Sequence, residues 1–128
     1  MNLLLDTNVA LWAITDSPKL SQSARELLVS PRATLWVSVA SLWEISIKHS
    51  LGKGGMPVSG EQALVYFKES GYRVLPIEAE HAVAVGTLPT HHLDPFDRIL
   101  VAQALVDQMR LVTHDATVAL YGSAVIKI

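Results

Sequence analysis

The chain of 128 residues has no cysteine. It can hold neither a disulfide framework nor a thiolate metal centre, which suits a reducing cytoplasm. No apolar run approaches the roughly 20 residues that span a bilayer, so no membrane association is expected. The start, Met1-Asn2-Leu3-Leu4-Leu5-Asp6, lacks the basic stretch of a signal peptide and meets an acid after three leucines, so none is expected. Six prolines and seven glycines are too dispersed to mark a linker. With no repeat and no low-complexity tract, a single domain over 1–128 is expected. Positive charge is not in excess either: ten Lys and Arg face twelve Asp and Glu, a net charge of −2. The broad basic footprint of many nucleic-acid binders is therefore absent, and a nucleic-acid reading must rest on a local site.

What is present is apolar. Half the residues are hydrophobic and 17% are charged, with mean hydropathy +0.32, enough burial to offset the entropy of folding and to exclude disorder. Periodicity alternates short strands with longer helices. Asn2 to Leu5 reads as a strand, and Asn8 to Ile14 as a helix. Ser21 caps a second helix that Pro31 ends, Thr34 to Val37 form the next strand, and Ser38 or Ser41 caps a third helix with Leu42, Ile45 and Leu51 facing inward. After the Gly52-Lys53-Gly54-Gly55 loop, Ser59 and Gln62 form a capping box for a helix to about Ser70, followed by a strand from Tyr72 to Ile77. Glu78 to Val85 reads as a short helix. Asp94-Pro95-Phe96-Asp97 opens the clearest helix, with Asp at the N-cap, Pro at the first helical position and an acid in the first turn. Leu111 to Thr113, a turn over Ala116 to Leu120, and Ala124 to Ile128 complete the chain. The alternation predicts an α/β fold, a mainly parallel sheet with helices on both faces.

Ligands of such sheets bind beyond the carboxyl ends of the strands, at the switch point, so acids there are informative. Asp6 ends the first strand and Asp115 follows the fourth; Glu44 lies in the helix after the second strand and Asp97 in the first turn of the helix before the fourth. Four converging carboxylates repel one another unless a cation intervenes. Oxygen donors suit Mg²⁺ or Mn²⁺, which bind through a few carboxylates, waters and substrate phosphates. The chemistry implied is phosphodiester hydrolysis by metal-activated water. The plainer reading of the acids at strand ends and helix starts, Asp94 included, is a helix cap.

The ordered set Leu5-Asp6-Thr7-Asn8, Ser41-Leu42-Trp43-Glu44-Ile45, His91-His92-Leu93-Asp94-Pro95-Phe96-Asp97-Arg98 and Thr113-His114-Asp115 resembles the PIN-domain family, specifically VapC-like toxins of toxin–antitoxin pairs. The likeness covers nearly the whole chain. Asp-Pro-Phe-Asp-Arg with Ala102-Gln103-Ala104 is its most specific part, and Asp-Thr-Asn its weakest. The resemblance implies a PIN-like three-layer sandwich with five strands in the order 3-2-1-4-5, Mg²⁺-dependent endoribonuclease activity with Mn²⁺ as a substitute, an RNA substrate, a protein antitoxin and a homodimer. By motif position the family's acids fall on Asp6, Glu44, Asp97 and Asp115. Without those four, ten basic residues face eight acids, a balance mild enough to admit RNA.

Around the acids, Thr7 and Asn8 can orient a carboxylate or a water, or Asn8 can simply cap the first helix. Arg98 adjoins Asp97 and is a candidate for substrate phosphate, with a solvated surface arginine as the alternative. Lys48, four residues after Glu44, is either a phosphate ligand or a surface pair with Glu44. His91, His92 and His114 lack zinc-ligand spacing. Trp12, Trp36 and Trp43 can stack bases or fill the core, and Trp36 reads as core. Two other readings stay open. A haloacid-dehalogenase-like phosphatase also begins with a strand-end Asp but expects an acid where Asn8 stands. A Mg²⁺-binding receiver module expects paired acids at the first strand and an Asp after the third, where this chain has Pro76-Ile77-Glu78.

Overall fold

A computed structural model describes residues 1–128. The elements run β1 (Asn2–Leu5), α1 (Thr7–Ile14), α2 (Gln22–Leu28), β2 (Thr34–Ser38), α3 (Val39–Ser50), α4 (Gly60–Glu69), β3 (Arg73–Leu75), α5 (Ala79–Val85), α6 (Pro95–Val106), β4 (Arg110–Thr113), α7 (Ala116–Ala119) and β5 (Val125–Lys127). All four strand pairings are parallel, and the sheet order is β3-β2-β1-β4-β5, as expected.

The leucine run explains the central place of β1. Leu3, Leu4 and Leu5 are all fully buried, because side chains alternate across a strand and both faces of this one are covered. Leu3 and Leu5 join a core with Val9, Ile45 and Phe67, whereas Leu4 joins a second core with Leu100, Leu111 and Val118. Helices α1, α2 and α4 therefore cover one face and α6 and α7 the other, with α5 packed on α6.

Register then sets the functional edge. Leu5 is level with Val37 of β2 and Val112 of β4. One residue on, Asp6 emerges level with Ser38 on one side and Thr113 on the other. The sheet order reverses at β1, so this edge is the switch point.

Four local readings are corrected. Helix α1 starts at Thr7 with Asp6 itself as N-cap, so Asn8 is not the cap. Ser38, not Ser41, caps α3, accepting from the Ala40 amide at 2.9 Å. Strand β3 is shorter than Tyr72 to Ile77: the Tyr72 amide donates to the Phe67 carbonyl to close α4, and Pro76 has no N–H for the ladder. Leu51 does not face inward. It is the C-cap of α3 and 60% exposed, because the chain leaves the helical path there. No helix is long and apolar enough to cross a membrane.

Candidate metal-binding and catalytic site

Asp6, Asp97 and Asp115 line one cavity of about 300 Å³ at the carboxyl edge, together with Asn8, Trp12 and His114. Each acid is held by backbone or side-chain donors that follow from its position. Asp6 is buried; its Oδ1 accepts the Val9 amide at 2.8 Å as the N-cap of α1, and its Oδ2 accepts the Thr113 hydroxyl. The Asp115 Oδ1 caps α7, accepting from Thr117 and Val118. The Asp115 amide donates to Thr113 Oγ1 at 3.0 Å, so one threonine hydroxyl accepts from the backbone of one acid and donates to the carboxylate of the other.

Asp97 is fixed through a different chain of bonds. Arg98 Nη1 donates to Tyr121 Oη at 3.0 Å, Tyr121 Oη lies 3.1 Å from His92 Nδ1, and His92 Nε2 lies 3.3 Å from Asp97 Oδ2. A guanidinium can only donate, so the tyrosine oxygen accepts from it and has its one proton for His92 Nδ1. In the neutral ring, Nε2 then carries the hydrogen and donates it to Asp97. Asp94 stays apart from this chain: its Oδ1 caps α6 by accepting from Phe96 at 2.9 Å and Asp97 at 3.3 Å.

Glu44 does not line the cavity. It is buried on α3, and its Oε2 accepts from Lys48 Nζ at 2.8 Å. The Glu44 carboxylate in turn holds the Lys48 ammonium above its usual pKa, with added influence from Asp94 and Asp97. Thr7 donates to Ser41 at 2.9 Å, tying α1 to α3, while Asn8 is an exposed part of the cavity wall. Arg98 has a structural role in the loop before α6. Besides Tyr121, its guanidinium donates to the Pro89, His92 and Val85 carbonyls, so Nη1 and one hydrogen of Nη2 hold the loop before α6. Trp36 is partly buried against the second core, whereas Trp43 is 59% exposed.

Burial and like charge disfavour ionisation of two of the cavity acids. Burial raises the Asp6 carboxyl above its ordinary pKa against the opposing hydrogen bonds from Thr113 and Val9, and the charges of Asp115 and Glu44 raise it further. Burial lifts Asp97 to about 6, helped by Asp94, Asp6 and Glu44 and opposed by His92. Among the four acids only Glu44 and Asp97 have an ion-pairing partner, Lys48 and His92. Hard oxygen donors with unneutralised charge fit a divalent cation. No three acidic or histidine side chains form a ready-made metal cage.

Thr113 was not singled out in the sequence, although its place two residues before Asp115 at a strand end is a readable signal. Thr113→Val should lower the melting temperature at pH 7, by a loss of about 1.5 to 3 kcal/mol for a hydrogen bond to a buried charge. The loss should shrink toward pH 4, because Asp6 with its raised pKa becomes neutral as pH falls. Thermal melts of both proteins across that range check this; an equal loss at every pH would assign Thr113 to packing.

A model of the PIN domain family matches residues 3–122. No curated protein sequence matches the chain. Solved structures do. VapBC2 from Rickettsia felis, bound to a DNA fragment from its promoter, is 20% identical with a TM-score of 0.70, covering 100% of this chain and 98% of that one. A toxin–antitoxin complex from Klebsiella pneumoniae is 18% identical with a TM-score of 0.65 over 98% and 96%. VapBC-1 from nontypeable Haemophilus influenzae is 22% identical with a TM-score of 0.64 over 94% and 92%. At these identities the likeness is one of fold.

Proposed function

Because the chain belongs to the PIN-domain family, we propose that it is a metal-dependent endoribonuclease and the toxin of a toxin–antitoxin pair. The family's members are generally nucleases that use divalent metal ions. The observation that carries the reading is the convergence of Asp6, Asp97 and Asp115 on one cavity at the switch point, with no lysine or arginine lining it. The open alternatives lack comparable support, since the acids come from β1, α6 and the turn after β4 rather than as a pair at β1.

In this reading Asp6, Asp97 and Asp115 hold Mg²⁺ or Mn²⁺, and Glu44, outside the cavity and paired with Lys48, adds its charge to Asp6 and Asp97. When bound, the cation offsets the charge of the phosphodiester and supplies a water acidic enough to attack phosphorus near neutral pH. The protein's part is positioning. The Val9 amide and the Thr113 hydroxyl fix both oxygens of Asp6, so its carboxylate is oriented before substrate arrives. His92, held by Tyr121, does the same for Asp97. The similarity in fold to VapBC structures supports a protein antitoxin and a homodimeric toxin as partners.

The test is incubation of purified protein with a mixed RNA substrate in Mg²⁺, in Mn²⁺ and in excess chelator. Cleavage is expected with either ion and absent with chelator. Activity that persists unchanged in chelator would overturn the metal-dependent reading. Growth arrest on expression of the chain, relieved by the Asp6→Asn substitution, is the expected result for a toxin; arrest by both proteins would separate toxicity from cleavage.

A further inference from the structure

Beside the acidic cavity lies a groove of about 310 Å³, and the two share Asn8 and Trp12 as a common wall. Their charges are opposite. Three aspartates line the first, whereas Lys19 and Lys48 are the only charged side chains lining the second, Lys19 without a carboxylate partner and Lys48 with one of its three donors on Glu44 at 2.8 Å. A polyanion approaching the acids meets repulsion there until a cation is bound, and the neighbouring groove supplies the attraction that the acids lack.

The groove also has a flat apolar surface at its border. Trp12 is half-buried, and its ring meets that of His114 edge to face with centroids 5.4 Å apart, which anchors the indole. Exposed Lys19 rests its Nζ 5.9 Å from the centroid of the Trp12 ring. An ammonium in water is held only weakly over an indole, so it is easily drawn away by a phosphate. The loop after α3 also lines the groove, and its Gly54 and Gly55 take φ of +68° and +59°. A Cβ at Gly55 would meet nothing within 4 Å, so glycine is there for its backbone conformation.

We propose that this groove binds one unpaired nucleotide of the RNA next to the bond that is cut, its base stacked on Trp12 and its phosphate between Lys19 and Lys48. The volume is at the lower end of small-molecule sites, roughly 300 to 1,000 Å³, and so takes a single nucleotide. The base must be unpaired, because in a duplex both of its faces are already stacked. On arrival Lys19 exchanges the indole for the phosphate, and the base takes the ring face that the ammonium leaves. The position next to the cut bond rests on the nuclease reading; binding of the nucleotide does not.

The test uses the intact protein and a fluorescein-labelled, single-stranded 2′-O-methyl hexanucleotide in chelator, read by fluorescence anisotropy, so that neither cleavage nor metal enters. Trp12→Leu should weaken binding by roughly tenfold to a hundredfold, and Trp12→Phe should stay within about threefold of the native protein. Lys19→Met should reduce the slope of log K against log salt by roughly 0.7, the share of one phosphate on a single strand. Lys19 is exposed, so this second arm stays decisive even where loss of Trp12 disturbs folding. Unchanged affinity in Trp12→Leu with an unchanged slope in Lys19→Met overturns the groove. A protein that cuts no RNA with either metal yet shows both losses keeps the groove and loses the nuclease; one that cuts RNA but binds the probe equally in every variant keeps the nuclease and loses the groove.

Discussion

Asp6→Asn should lower RNA cleavage by roughly a thousandfold or more, the several kcal/mol lost when a ligand for the catalytic ion is removed, while the metal-free protein melts at the same temperature or higher. The two expectations share one cause. Burial and the neighbouring charges of Asp115 and Glu44 hold the Asp6 carboxyl above its ordinary pKa, so its charged form is disfavoured by folding. Its contribution to stability is complete below the unfolded pKa of 3.8 and is lost as pH rises through the raised folded value. At neutral pH the native carboxylate therefore costs stability that a neutral amide does not. Asparagine keeps the cap on the Val9 amide, because its side-chain oxygen accepts as well as that of aspartate. Toward Thr113 it presents a donor instead of an acceptor, which offsets part of the gain. Mg²⁺ should reverse the order. A ligand that binds only the folded state raises its melting temperature, so titrated Mg²⁺ should raise that of the native protein and leave Asp6→Asn where it was. An Asp6→Asn variant that melts clearly lower without metal would make Asp6 a structural residue.

That Asp6 and Asp115 meet at one edge was legible in the sequence, because parallel strands deliver their ends there; that Glu44 stays outside the cavity was not. Once Leu3-Leu4-Leu5 is read as a strand buried on both faces, Asp6 has to emerge at the carboxyl edge, and the same holds for Asp115 after Leu111 to Thr113. The roles of the residues around them were less legible, for a physical reason. Tyr121 reaches His92 across 29 positions, and Arg98 reaches Tyr121 across 23. Such contacts are set by how the loop before α6 folds against the end of α7, which no local period encodes. Arg98 shows the consequence: its neighbour Asp97 suggests a ligand for phosphate, and nothing local signals that the same guanidinium also ties together the loop carbonyls of Val85, Pro89 and His92. Leu51 and Tyr72 went astray for the opposite reason. Each extends an apolar pattern that the backbone has already left, one at a helix end and one in the closure of α4.

Asp94 and Asp97 lie three apart in one motif and should not be equivalent. Asp94 is exposed and spends its Oδ1 on the amides of Phe96 and Asp97, a task asparagine performs about as well. Asp94→Asn should therefore keep cleavage within a few-fold of native, and Asp94→Ala should cost about 0.5 to 2 kcal/mol of stability, the usual loss for a missing cap. Asp97 lines the cavity with Asp6 and Asp115, is held by His92, and has its carboxyl lifted to about 6. Asp97→Asn should remove nearly all turnover. It should also flatten the pH dependence of stability in the metal-free protein. With a folded pKa near 6 against an ordinary 3.8, native Asp97 favours folding below pH 4 and loses that advantage between about pH 4 and 6, a change of about 1 to 3 kcal/mol once partial exposure is allowed for. Asp94 is the largest of the charges that raise Asp97, so Asp94→Asn should shift this window to lower pH without abolishing it. Thermal melts of the three proteins in chelator from pH 4 to 7, beside cleavage rates at saturating Mg²⁺, separate the two roles. If Asp94→Asn is as inactive as Asp97→Asn, the Asp94 carboxylate belongs to the metal site and its place as a cap is incidental.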